Sequence, residues 1–154
     1  MILKASAPDV RKLEKSGSLG RRNRRGVAVV EFALVLPIFF MMVFAMIEFG
    51  RMVMVRQVLT NASREGARIG VLDGATTAEV VDKVEAYLTS ASIPFTAGNV
   101  VSVSPSPPSS AGYGESVSVT VTVPFDDVSW LPSPMYLGAA NVSAATVMRR
   151  EAVQ

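Results

Sequence analysis

From Val27 to Ile47 the chain runs for 21 residues with a single ionisable side chain, Glu31. As a helix rising 1.5 Å per residue this stretch is about 31 Å long, the thickness of a bilayer's hydrocarbon core. It predicts one transmembrane span, with Pro37 removing a backbone hydrogen bond and loosening the helix locally. Beyond Ile47 the apolar positions thin to every third or fourth residue: Met52, Val55, Leu59 and Ala62 predict that the helix continues past the membrane to about Ile69. Gly66, Gly70 and Gly74 around Asp73 read as a helix stop followed by a loop. Thr76-Thr77-Ala78-Glu79 has capping-box spacing, and Val80, Val84, Tyr87 and Leu88 follow on one face, so a second, short helix is expected to about Ser90.

The period then changes from helical to twofold. Asn99 to Ser104 reads as a strand. Glu115 to Phe125 reads as a second and clearer one, in which Val117, Val119, Val121 and Val123 alternate with Ser and Thr. Between them, Pro105 to Gly112 is too rich in proline to pair in a sheet and is expected to form an exposed loop. A third strand is expected from about Asn141 to Arg149, after the turn region of Trp130 to Met135. A helix laid on the valine face of a small antiparallel sheet makes an α+β domain of two layers, with the Ser/Thr ladder on the solvent side or against another subunit. The expected organisation is a basic leader over 1–26, a transmembrane helix over 27–50, its exported continuation over 51–70 and an exported α+β domain over 71–154.

Composition agrees with an anchored chain of modest size. The 154 residues are 49% hydrophobic and 18% charged, room for one domain and an anchor but not for two large domains. Cysteine and histidine are absent. That removes disulfides, thiolate nucleophiles, Cys/His zinc sites and imidazole bases, so catalysis starts from a poor position and no cofactor is expected. A membrane-tethered hydrolase would need a nucleophile and a base, and Lys83 is the only lysine beyond Arg25. Asp73, Asp82, Asp126 and Asp127 lack the ligand spacing of a calcium loop and read as solvated.

The net charge of +2 hides two halves of opposite sign. Residues 1–25 hold eight basic and two acidic side chains, +6, and the remainder seven basic and eleven acidic, −4. Arg21-Arg22-Asn23-Arg24-Arg25 would suit a nucleic acid by composition alone, but it directly precedes the apolar run, where clustered arginines mark a cytoplasmic flank. Against Arg51 and Arg56 on the far side, the four arginines predict a cytoplasmic N-terminus, an exported C-terminal domain and no nucleic-acid partner. A cleaved secretory signal would have a shorter apolar region and a small-residue site near Ile47, and neither is found. Glu48 with Arg51 reads as a local pair near the interface, and Arg64 with Arg68 as a solvated helix face.

Glu31 sets the functional question, since a carboxylate inside the apolar stretch costs about 2.5 to 3.5 kcal/mol to insert. Six residues from Arg25 it is near enough to snorkel to the interface. Alternatively, if the chain were cut after Gly26, the new ammonium of Val27 on one helix would pair with Glu31 of its neighbour and set the register of a helical assembly.

Three elements carry a resemblance: Arg24-Arg25-Gly26-Val-Ala-Val-Val-Glu31-Phe32 ahead of the span, Glu48-Phe49-Gly50-Arg51 after it, and Arg64-Glu65-Gly66-Ala67-Arg68 beyond. Together they resemble the TadE-like family of the tight adherence system, minor pilins or pseudopilins that accompany Flp pili. The resemblance covers about Gly26 to Gly70. It implies a pilin-like α+β fold, cleavage between Gly26 and Val27 by a prepilin peptidase, and assembly contacts through Glu31, Phe32 and the rest of the apolar surface. The implied setting is the bacterial inner membrane, and the implied partners are the peptidase, other pilins and minor pilins, the pilus assembly machinery and membrane lipid. Phe32 and the large C-terminal region fit the minor class rather than the short major pilins, which usually have Tyr after the glutamate. The competing reading is a permanently anchored extracytoplasmic binding or adhesin module, for which the charge of Glu31 would be dispensable.

Overall fold

A computed structural model describes residues 22–96, 98, 100–131 and 136–150. Most of the basic leader therefore lies outside the described residues, as does Asn99, the expected start of the first strand. Two compact units divide between Met42 and Val43.

The first unit is the N-terminal part of helix α1, Arg22–Gly70. The helix runs through Pro37 without a break. Its side chains from Gly26 to Met42 are exposed, Leu36 alone being half-buried. Val29, Leu34 and Ile38 are each more than two thirds exposed. So long an apolar surface is untenable in water and calls for lipid or neighbouring helices.

The second unit begins within α1 and builds the α+β fold expected from the chain's periodicities. Helix α2, Thr77–Ser90, follows, then strands β1 (Val101–Ser104) and β2 (Ser116–Pro124), a short helix α3 (Phe125–Val128) and strand β3 (Asn141–Arg149). The sheet is antiparallel in the order β1-β2-β3, with Val103 opposite Val119 and Val119 opposite Thr146. Directly opposed residues share a face, so the valines of β1 and β2 join Val142, Ala144 and Met148 of β3 under the helices. Val117, Val119, Val121 and Val123 are fully buried against Val55, Leu59 and Ala62 of α1 and Val80, Val84 and Leu88 of α2. Ser102, Ser118, Thr120, Thr122, Ser143 and Ala145 line the opposite face, none of them fully buried. A polar link crosses the layers between the hydroxyls of Ser63 on α1 and Thr146 on β3, 2.7 Å apart.

The capping box forms as expected. The Thr76 hydroxyl accepts from the Glu79 amide, and the Glu79 carboxylate accepts from the Thr76 amide at 2.9 Å. Hydrogen bonds from the Thr76 amide and hydroxyl hold the Glu79 carboxyl below the usual carboxylate range.

Three expectations are corrected. Gly66 does not stop the helix but lies inside it, packed against both α2 and the sheet: a Cβ there would stand 2.6 Å from Val84 Cγ2 of α2 and 3.2 Å from Val119 Cγ1 of β2. The stop comes at Gly70, and Gly74 turns the chain with a φ of +73°. Phe125 does not extend the second strand; it opens α3 and folds under the sheet, fully buried. The proline-rich connection is not wholly exposed, because Pro108 and Ala111 are buried at the end of the core.

Candidate functional site

The residues expected to carry processing and assembly lie together on the first turns of α1. Gly26, Val27, Glu31 and Phe32 all belong to the helix and are exposed, with Phe32 at 64%. Arg24 and Arg25 precede them in the same helix. The Gly26–Val27 bond thus lies in helical backbone. Glycine costs a helix about 1 kcal/mol relative to alanine, so Gly26 marks a point where the backbone opens to an extended form at low cost. A Cβ at Gly26 would meet nothing within 4 Å. Glu31 presents its carboxylate on the same exposed surface as the apolar side chains around it. That arrangement suits charge pairing with an adjacent helix in a medium of low dielectric constant, where an ion pair is worth far more than in water.

Glu48 and Arg51, read as a local pair, are deployed differently. Among the described residues the ion pair is between Asp73 and Arg150, at 2.7 Å. Glu48 is 1% exposed, and its Oε2 accepts hydrogen bonds from the backbone amides of Tyr136 and Leu137 at 3.1 and 3.2 Å. Arg51 donates from Nε to the Val128 carbonyl at 2.7 Å, and its guanidinium lies 4.8 Å from the centroid of the Trp130 ring. Both side chains therefore hold the connection between α3 and β3 onto α1. Arg64 and Arg68 are exposed, as expected of a solvated face.

Arg150 is a second anchor, and nothing in the sequence distinguished it from the neighbouring Arg149. Its guanidinium donates to the carbonyls of Ser109 and Ala111 and to Asp73, and lies over the Tyr113 ring. It ties the proline-rich connection and the turn after α1 to the end of β3. Asp82, Asp126 and Asp127 are exposed. Among the described residues no three His, Cys, Asp or Glu side chains are grouped to hold a metal ion. A groove of about 570 Å³ between the end of α1 and α2 is floored by Ile69, Leu72 and Ala75 and edged by Glu79, Asp82 and Lys83.

The family model described as TadE-like protein matches residues 26–68. The match opens on Gly26, ends on Arg68 within α1, and leaves the sheet outside it. Over that segment the resemblance read from Gly26, Glu31, the Glu48–Arg51 element and the Arg64–Arg68 element holds. No curated protein and no solved structure matches the chain significantly. Among the described residues one helix, α1, is long and apolar enough to cross a membrane. The match and this helix together fit a membrane protein associated with the tight adherence pilus.

Proposed function

We propose that this chain is a structural or assembly subunit, a minor pilin or pseudopilin, of an Flp-type tight adherence pilus. The TadE-like match that opens on Gly26, directly ahead of an apolar and outward-facing helix, carries the reading. In it the basic leader stays in the cytoplasm, the span crosses the inner membrane, and the compact unit is exported. A prepilin peptidase cuts between Gly26 and Val27, and the new ammonium of one subunit meets Glu31 of the next. The surface from Phe32 to Ile47 packs against neighbouring pilin helices once it leaves lipid. The role is structural and assigns no catalysis to the chain.

The test is the N-terminus and intact mass of the membrane-extracted protein from cells with and without their prepilin peptidase. The expected result is a chain starting at Val27 only when the peptidase is present. An uncut chain in both strains overturns the processing step.

A further inference from the structure

The described parts of the connection between α3 and β3 stand out because two ionic side chains are withdrawn from solvent to hold them. Glu48 and Arg51 are the first charged residues after the apolar run, where charged groups ordinarily face the headgroups and water. Here they are 1% and 8% exposed and bind the backbone at Tyr136, Leu137 and Val128 instead. The connection is thereby fixed beside a single turn of α1.

Held in that place, Trp130 is 65% exposed and Tyr136 53%. Arg51 supports the Trp130 ring by a cation–π contact, so the indole is presented outward in a defined position. On α1 itself Phe49, Val53 and Met54 are also at least half exposed. Exposed aromatic and apolar groups thus follow Glu48 on α1 and accompany Trp130 and Tyr136.

The level of Glu48 and Arg51 on α1 coincides with a membrane boundary. If the hydrocarbon core ends near Ile47, Glu48 to Arg51 lie within about 6 Å of it along the helix. The interfacial layer on each side of a bilayer is about 5 to 8 Å deep. Tryptophan and tyrosine, with an apolar ring and a polar edge, are the side chains that favour this layer.

We propose that Trp130 and Tyr136, in the described parts of the connection between α3 and β3, form a membrane foot and sit at the boundary between phospholipid headgroups and acyl chains. The foot gives the compact unit a second point of attachment to the bilayer. It rests on the membrane-span part of the functional reading, and not on cleavage or on entry into a pilus. A second copy of the chain is a poorer occupant, because these groups follow directly on the lipid-facing run and include interfacial aromatics rather than a branched-aliphatic seam.

Trp130 is the only tryptophan in the chain, so its fluorescence reports on the foot alone. The full chain is reconstituted in vesicles of phosphatidylcholine and phosphatidylglycerol brominated either near the headgroup end of the acyl chain or near its terminal methyl. The expected result is blue-shifted emission, quenched several-fold more strongly by the shallow bromines than by the deep ones. Glu48→Ala, which releases the amides of Tyr136 and Leu137, is expected to reduce the shallow quenching while the chain still floats with the vesicles. Emission typical of water, with quenching by neither lipid in a chain that floats, overturns the foot. Emission shielded from aqueous iodide but insensitive to both lipids also overturns it, in favour of contact between copies. Failure of the chain to float overturns the span reading itself.

Discussion

Gly66→Val is expected to cost the compact unit about 3 kcal/mol, at the upper end of what overpacking a core typically does. Even the first added carbon would lie 2.6 Å from Val84 Cγ2, well inside van der Waals contact. Val84 cannot swing away, because it is fully buried, β-branched and therefore stiff at χ1, and closed in by the sheet. Val119 Cγ1 at 3.2 Å blocks the other direction. The layers would have to separate, exposing valines that supply most of the unit's burial. Gly66→Ala gains about 1 kcal/mol of helix propensity and meets the same Val84 contact, so its loss is expected to be smaller. Gly50→Ala meets nothing within 4 Å and is expected to be neutral or stabilising. Urea unfolding of the detergent-extracted chain, followed by circular dichroism, ranks the three. Equal midpoints for Gly66→Val and the wild type would show that the layers do not meet at this glycine.

Arg150→Ala is expected to cost about 3 kcal/mol, since hydrogen bonds to a charged group are each worth roughly 1.5 to 3 kcal/mol and a buried carbonyl left unsatisfied carries a penalty of its own. Two of its acceptors are the carbonyls of Ser109 and Ala111, and Ala111 is buried. The gain is not the full sum, because Arg150 Nε is buried with no acceptor among the described residues. Asp73 contributes less than its 2.7 Å separation suggests, being more than half exposed and screened by water. Asp73→Asn is accordingly expected to cost at most about 1 kcal/mol. Arg149→Ala, on the exposed neighbour, is expected to fall within about 0.5 kcal/mol of the wild type. Should Asp73→Asn cost as much as Arg150→Ala in the same unfolding assay, the ion pair rather than the carbonyl clamp would hold this end of the unit.

These two positions also mark where sequence reasoning stops. Periodicity found the long helix, the capped helix and the valine strand, because each writes its burial into a repeating pattern that no other element shares. The alternation from Val117 to Val123 even identified the buried face of the sheet. Gly66 carried no such mark: a glycine at a close approach of two layers and a glycine ending a helix look alike until the opposing valines are in place. Arg150 was hidden for a related reason. Its value lies in carbonyls some forty residues away, and no local pattern separates a buried arginine from a solvated one. Glu48 and Arg51 were read as a local pair from their spacing, but their partners come from α3 and from a connection whose only signals were proline and tryptophan. The residues proposed for processing and assembly could be named from the sequence for the opposite reason. Gly26, Glu31 and the basic flank lie within a few residues of one another, and the chemistry expected of them depends on sequence distance rather than on tertiary contacts.

The measurement closest to the central claim is the amount of this protein in sheared, purified surface fibres from cells carrying wild-type, Glu31→Gln or Glu31→Ala chains at equal membrane levels. As a subunit docked through the Glu31 carboxylate, the wild-type chain is expected in the fibre fraction or in stable complex with its pilins. Both variants should stay in the membrane, with fibre-associated protein reduced at least tenfold. Fibre association and piliation unchanged by the loss of the Glu31 charge would contradict the account and leave α1 as a permanent anchor for the compact unit.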